Sequence, residues 1–331
     1  MPSTQKLLIT QVAALAAVLP EWKLLWQRCP AATPFQHPAW LLPWWDAFGS
    51  GELFSFAVHL EGRLVALAPM FLHPWNGKRQ VTFLGNGPSD HLDFLVEPGA
   101  PATAPILDAV ALACRRWDLC DLQDLAPDAA LAQAAIPATL QWSRAPQYTC
   151  SSISLPDTVE AFQAALPHGL KRNLRRYRTH MEEHGPVTLE SATPQTFPEI
   201  LDALFVLHRS RRAMKDDEGM LQSGITEQFH RRAAQGLNDV GLVRLHALRF
   251  QNRIAAVVYA FVSRGRAYSY QGGFDPALAK FSPGALILQY AIEQAIREDV
   301  TEFDFLRGDE SYKADWGARP YTANRLLLWP A

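Results

Sequence analysis

Cysteine is scarce in this chain. Its 331 residues include four, Cys29, Cys114, Cys120 and Cys150, at wide and irregular spacings that make neither a paired metal knuckle nor a disulfide framework. Reduced thiols are therefore expected, no metal ligand is assigned, and the expected location is cytoplasmic. Net charge is nearly absent as well, since 31 Lys and Arg face 33 Asp and Glu to leave −2. No global field holds such a protein on nucleic acid or an anionic membrane, so any basic site must be local. Long apolar runs are also missing. The run that begins near Lys6 is interrupted by Thr10 and Gln11 and is followed by no small-residue cleavage site, and nowhere is there a stretch of the ~18 residues that a membrane span needs.

What is present suffices for two cores. Hydrophobic residues make up 48% of the chain and charged residues 19%, and the length exceeds the usual single-domain range. Two domains are expected, residues 1–150 and 151–331, with the boundary near 147–156. In the first, residues 53–59 alternate into a turn at Glu61-Gly62 and continue over 63–70 as a hairpin partner. A strand at 91–96, an Ala-rich helix at 101–117 and a strand at 118–125 follow. The second half repeats the order, with strands at 241–250 and 253–262 joined at Gln251-Asn252, a strand at 266–272, a helix at 283–297 and a strand at 301–306. The hairpins share letters, His59-Leu60-Glu61-Gly62-Arg63-Leu64-Val65-Ala66 beside Arg249-Phe250-Gln251-Asn252-Arg253-Ile254-Ala255-Ala256, which points to an old duplication. Between the halves lie a helix over 158–183 broken at Pro167 and Gly169, a helix over 198–214, and a charged loop at 215–224 expected to be exposed and mobile. Trp40, Trp44 and Trp45 are expected to anchor the first half.

Four segments are candidates for chemistry. Phe281-Ser282-Pro283-Gly284-Ala285 follows a Gly-Gly-bearing strand and opens an amphipathic helix. Ser282 is placed to cap it, Pro283 loses no bond at the first helical position, and Gly284 with Ala285 leaves room for a phosphate at the helix start, with Lys280 adding charge. The strand Phe303-Asp304-Phe305-Leu306-Arg307 then runs into Gly308-Asp309-Glu310-Ser311-Tyr312-Lys313. Strand ends are where α/β proteins bind ligands; a lysine there can neutralise an oxyanion, and an acid can take a proton from an amine or hydroxyl. Lys171, Arg172, Arg175, Arg176 and Arg178 crowd about two helical turns above an apolar stripe of Leu170, Leu174, Tyr177 and Met181, so a counter-anion or a solvated face are both open readings. His208 and Arg211 lie within one turn, where they line a pocket or serve the core.

In this order the segments resemble the BioF2-like or CelD-type acetyltransferase domain, a relative of the FemAB aminoacyltransferases within the GNAT superfamily. Tyr270-Gln271-Gly272-Gly273-Phe274-Asp275-Pro276, Phe281-Ser282-Pro283-Gly284, Phe303 to Gly308 and Tyr312-Lys313-Ala314-Asp315-Trp316-Gly317 carry the resemblance, with the basic helix Leu170 to Tyr177 and weaker matches at Pro34 to Trp40 and Leu207 to Arg211.

The resemblance implies an α/β (α+β) fold of two GNAT-like domains, mixed central sheets flanked by helices, and acyl transfer from acyl-CoA to an amine or hydroxyl by direct attack. It implies catalytic roles for Lys313, Asp304, Asp309 and Tyr312, with Glu310 a further candidate acid. Donor contacts fall to Lys280, Ser282, Gly284, Ala285 and Tyr270, and acceptor contacts to Arg172, Arg175, Arg176, His208, Arg211 and Arg307. The usual Arg/Gln-x-x-Gly-x-Gly/Ala donor loop is replaced here by Ala279-Lys280-Phe281-Ser282-Pro283-Gly284-Ala285. The expected acceptor is a cell-envelope or polysaccharide precursor; the alternatives are an aminoacyl-tRNA donor and a non-catalytic protein that binds such a precursor.

Overall fold

The computed structural model describes residues 3–100, 102–213 and 224–331, so nearly all of the expected 215–224 loop lies outside the described residues. The chain divides into two compact units, Met1–Thr149 with Thr322–Ala331, and Cys150–Tyr321.

In the first unit, Thr4–Ile9, Ser55–Leu60, Arg63–Ala68 and Leu95–Val96 form an antiparallel sheet in that order. The expected strand at 91–96 shortens to its last two residues because His91 takes a left-handed conformation. A second run of strands joins residues of Arg319–Pro330 to Leu119–Leu125, then Lys78–Phe83, Met70–Trp75 and Glu52–Leu53. Trp22, Phe35 and Trp40 are fully buried between these strands and the helices Leu19–Arg28 and Pro38–Phe48. Trp40 donates to Ser89 Oγ (2.8 Å), which satisfies its one polar atom inside the core.

The second unit is built on β1 (Leu140–Ser154, entering the unit at Cys150), β2 (Val187–Ser191), β3 (Val243–Phe250), β4 (Arg253–Ser263), β5 (Arg266–Phe274) and β6 (Glu302–Arg307). Its helices are α1 (Val159–Ala165), α2 (His168–Glu182), α3 (Phe197–Ala213), α4 (Gly224–Asn238), α5 (Pro283–Arg297) and the short α6 (Ser311–Asp315). The strand order is β2-β3-β4-β5-β6-β1, antiparallel except for β5 and β6. Thr158 caps α1 by accepting from the Ala161 amide (3.1 Å), and Pro167 ends that helix and starts α2, as its missing N–H dictates.

Strand alternation divides the core. Leu248, Ala256, Val258 and Ala260 face α1, α2 and α5, whose Phe162, Leu174, Met181, Leu286 and Ile292 complete one buried cluster. On the opposite face α3 and α4 bury Leu204, Phe205, Phe229 and Ala233 against the sheet. There Gly273 is required for close approach, since a Cβ would stand 2.7 Å from the His208 backbone nitrogen.

Both hairpins of the letter match share two irregularities. Glu61-Gly62 and Gln251-Asn252 all have positive φ, the two-residue turn that matches strand twist. Each hairpin then shifts register at the equivalent place, between Val58/His59 and between Leu248/Arg249. A bulge is a specific local device, so its recurrence at matched positions supports a common origin for the two hairpins.

The face under α3 and α4 holds buried histidines. Burial pushes the His230 imidazole down to about 3, with His208 adding repulsion, whereas the unfolded residue titrates near its ordinary 6.5. The unfolded state therefore binds more protons between those values, and stability must fall as pH drops below the unfolded value. Between pH 7 and 5 this group alone is expected to remove about 2 kcal/mol. Urea midpoints at the two pH values check it, and His230→Gln should lose less on acidification than the parent.

Candidate active site

The end of β6 is held in a strained shape. Leu306, a bulky residue, has φ 57, at the register break between Asp304 and Arg307; such a left-handed conformation costs on the order of 1–3 kcal/mol. It is gripped from both sides. Its amide donates to Asp304 Oδ1 (2.8 Å) and its carbonyl accepts from Lys313 Nζ (3.1 Å). The same ammonium donates to the carbonyls of Arg307 (2.9 Å) and Gly308 (3.0 Å) and stands 3.0 Å from Glu310 Oε2. An ammonium has three hydrogens, and three carbonyls take them here.

Asp304 is fully buried and its second oxygen accepts from the Tyr321 hydroxyl (2.6 Å). Burial and the charge of Asp304 push the Tyr321 phenol well above its ordinary range, so it stays a donor. Arg266 donates to Glu302 (3.0 Å). Burial opposes its charge, but Tyr268, Glu302 and Asp304 outweigh that and hold it protonated.

Beside this corner the parallel strands part. β5 and β6 share three register pairs, Arg266↔Glu302, Ala267↔Phe303 and Tyr268↔Asp304, while β5 runs on to Phe274. Its register against β4 jumps from Ala260↔Ser269 to Tyr259↔Gln271, which makes Tyr270 the extra residue of a bulge.

On the α2/α5 side two hollows adjoin. A groove of ≈ 540 Å³ is lined by Arg175, Arg176, Tyr177, Thr179, His180, Glu183 and Lys280. A cavity of ≈ 200 Å³ has an apolar floor that includes Leu166, Leu174, Val187, Leu189, Leu248 and Leu286, with Lys171, Arg175, Arg178 and Glu293 among its polar walls. Arg175 borders both. The cations of α2 and Lys280, more than a hundred residues apart in sequence, are thus gathered where α5 begins.

Residues 168–314 match the model of the acetyltransferase (GNAT) domain. This match, to an acetyltransferase domain over less than half of the chain, supports an N-acyltransferase. Solved structures show the same fold over almost the whole chain at low identity. FemX matches with TM-score 0.68 and 11% identity, covering 99% of this chain and 97% of its own. The C-terminal domain of a putative lysylphosphatidylglycerol synthetase from Agrobacterium fabrum gives 0.59 and 11% over 94% and 92%. A tandem GNAT protein from the clavulanic acid biosynthesis pathway gives 0.51 and 13% over 99% and 98%. No curated protein sequence matches. The expected FemAB-like tandem GNAT fold is therefore the fold of this protein.

Within residues 168–314 the expected site residues separate. Lys280, Arg175 and Arg176 come together at the groove, whereas Arg172 lies exposed on α2 outside both hollows. Asp309 and Tyr312 are exposed beyond β6. Asp304 and Lys313 are buried and bonded within the protein, so the expected free oxyanion donor is instead a clamp on the strand end. Arg307, half-buried, pairs its backbone with Cys150. Ser282 does not cap α5 with its side chain, contrary to expectation: it is left-handed (φ 49), and its carbonyl opens the helix by accepting from Ala285 (3.0 Å). The space expected above Gly284 adjoins a ring, since a Cβ there would touch Phe274 at 3.4 Å; Ala285 is half-buried in the first turn. Tyr270 is buried among the rings of Tyr259, Phe261 and His230 rather than open to a ligand. His208 is buried against β5, its Nδ1 3.4 Å from the Gly272 carbonyl, which answers its ambiguity in favour of the core. The Arg211 side chain is outside the described residues.

Removing the clamp leaves three carbonyls and Glu310 without their cation. Lys313→Ala should lower stability by on the order of 3 kcal/mol, read as a reduced urea midpoint. An unchanged midpoint would show that the strand end holds itself.

Proposed function

We propose that this N-acyltransferase moves an acyl group from an acyl-CoA thioester directly onto an amine or hydroxyl of a cell-envelope or polysaccharide precursor. The observation that carries the reading is the cationic groove of Arg175, Arg176 and Lys280 at the start of α5. A diphosphate is matched there by point charges and guanidinium forks, next to a helix start, where the backbone dipole favours anions.

Direct attack fits the remaining groups. Cys29, Cys120 and Cys150 are buried, and burial pushes the Cys120 thiol far up, so these sulfurs are poor acyl carriers. Beyond Tyr268 the backbone of β5 has no register pair with β6, and a thioester carbonyl laid along it would be polarised by amide donors. The acceptor nitrogen or oxygen attacks the carbonyl carbon, the carbon–sulfur bond breaks, and the thiolate leaves. Asp309, exposed at the strand end, takes the acceptor's proton; Asp304 and Lys313 serve by fixing the strand that presents it. Tyr312 borders the acceptor from the same exposed turn.

One observation favours a second donor. Arg172 extends the basic face of α2 beyond the groove, as contact with a longer polyanion such as an aminoacyl-tRNA would use.

Calorimetric titration with acetyl-CoA and longer acyl-CoA esters tests the first reading. Arg176→Glu and Lys280→Glu should each weaken binding by about tenfold or more, the worth of one charge-assisted hydrogen bond. Unchanged affinity in both would sink the groove assignment. A tRNA donor would instead lose about a thousandfold or more in affinity between about 50 and 200 mM salt, whereas a thioester of coenzyme A should weaken gently.

A further inference from the structure

We propose that the end of α2 and the two residues that follow it make a zinc site of His180, Glu183 and His184. Positions i, i+3 and i+4 of a helix share a face, and His180-Met181-Glu182-Glu183-His184 places two imidazoles and a carboxylate there. One ligand atom from each lies within 4.8 Å of the others. Tetrahedral ligands at about 2.0–2.1 Å from zinc stand roughly 3.3 Å apart, so modest side-chain rotation closes the set and leaves a fourth position to water.

One imidazole is already prepared. His184 Nδ1 stands 2.8 Å from the His180 carbonyl, which can only accept, so Nδ1 is the donor and Nε2 is the nitrogen left to face a metal. Metal-binding histidines are oriented by this kind of bond at the far ring nitrogen. The two rings lie edge to face at 4.8 Å and pack on Phe281 at 4.9 and 5.1 Å, which keeps both on one side of the helix end. Glu182 is engaged by Arg178 (2.8 Å), leaving Glu183 as the carboxylate of the histidine group.

The electrostatics oppose one another, because Arg175 and Arg176 line the same groove as His180 and Glu183. The end of a helix is the negative pole of its dipole. Lys280 lines the same groove, but its ammonium sits over the Phe281 ring at 4.7 Å. Two imidazoles with one carboxylate suit zinc, copper or nickel and not magnesium or calcium. The ion would tie the end of α2 to the residue that precedes Ser282, and so to the start of α5.

The test needs no acyl donor. Full-length protein stripped with a chelator is titrated calorimetrically with zinc chloride, with magnesium and calcium chloride as controls. The expected result is one zinc per chain and no saturable heat from the controls. His180→Ala and His184→Ala should each weaken zinc binding by at least about tenfold, the lower end of what losing even an outer-shell partner costs, while Glu182→Gln leaves it unchanged. Circular dichroism verifies that the variants fold, and the absorption bands of bound cobalt(II) should vanish with the same histidines. No saturable zinc binding by the parent protein, or undiminished binding by the His180→Ala/His184→Ala double variant, overturns the proposal.

Discussion

One buried ammonium sets the geometry at the end of β6 in the second unit. Lys313 holds three successive carbonyls, those of Leu306, Arg307 and Gly308, around a single cation. Bringing an ammonium out of water costs several kcal/mol, and only full ligation with a partner carboxylate offsets it. Glu310 is that partner. Leu306 can then stay left-handed, Asp304 can stay buried with both oxygens bonded, and β6 turns away from β5 at a fixed point. The parting of those strands is a consequence of satisfied charge as much as of apolar packing.

Much of this was legible in the residues. The helix at 283–297 needed no more than its apolar spacing and its proline, and the structure begins and ends it at the same residues. Both hairpins were readable from turn residues. Other elements were hidden for physical reasons. Strand Leu140–Ser154, across whose end the sequence places only a boundary near 147–156, is hidden because few of its residues before Cys150 are buried, so alternation is weak. Helix Gly224–Asn238 was passed over although Phe229, His230, Ala233, Ala234 and Leu237 keep helical spacing. For the site, sequence could supply Lys313 as important but not whether its ammonium was free, because that depends on a left-handed leucine seven residues earlier. The His180-Glu183-His184 spacing is present in the sequence, but only the helical turn brings the three side chains to one face.

The duplicated hairpins also show where specialisation entered. Turn and bulge recur in both units, so the scaffold is shared. The basic α2 has no sequence counterpart before Cys150, and it supplies most of the groove's cations. Its apolar side joins the core through Leu174 and Met181 while its guanidinium groups border the hollows, so one helix both seals the unit and charges it.

The return of Thr322–Ala331 to the first unit makes that unit discontinuous, with all of Cys150–Tyr321 set between its two pieces. Asn324, Leu326, Leu327 and Leu328 are strand partners for Leu125, Leu122, Asp121 and Cys120. During synthesis the order of completion is therefore inverted: the first unit cannot finish its sheet until Thr322–Ala331 exist, while the second unit already has its whole sequence. A fragment cut near residue 150 separates the halves by number but strips the first of a strand, whereas residues 150–321 form an uninterrupted segment.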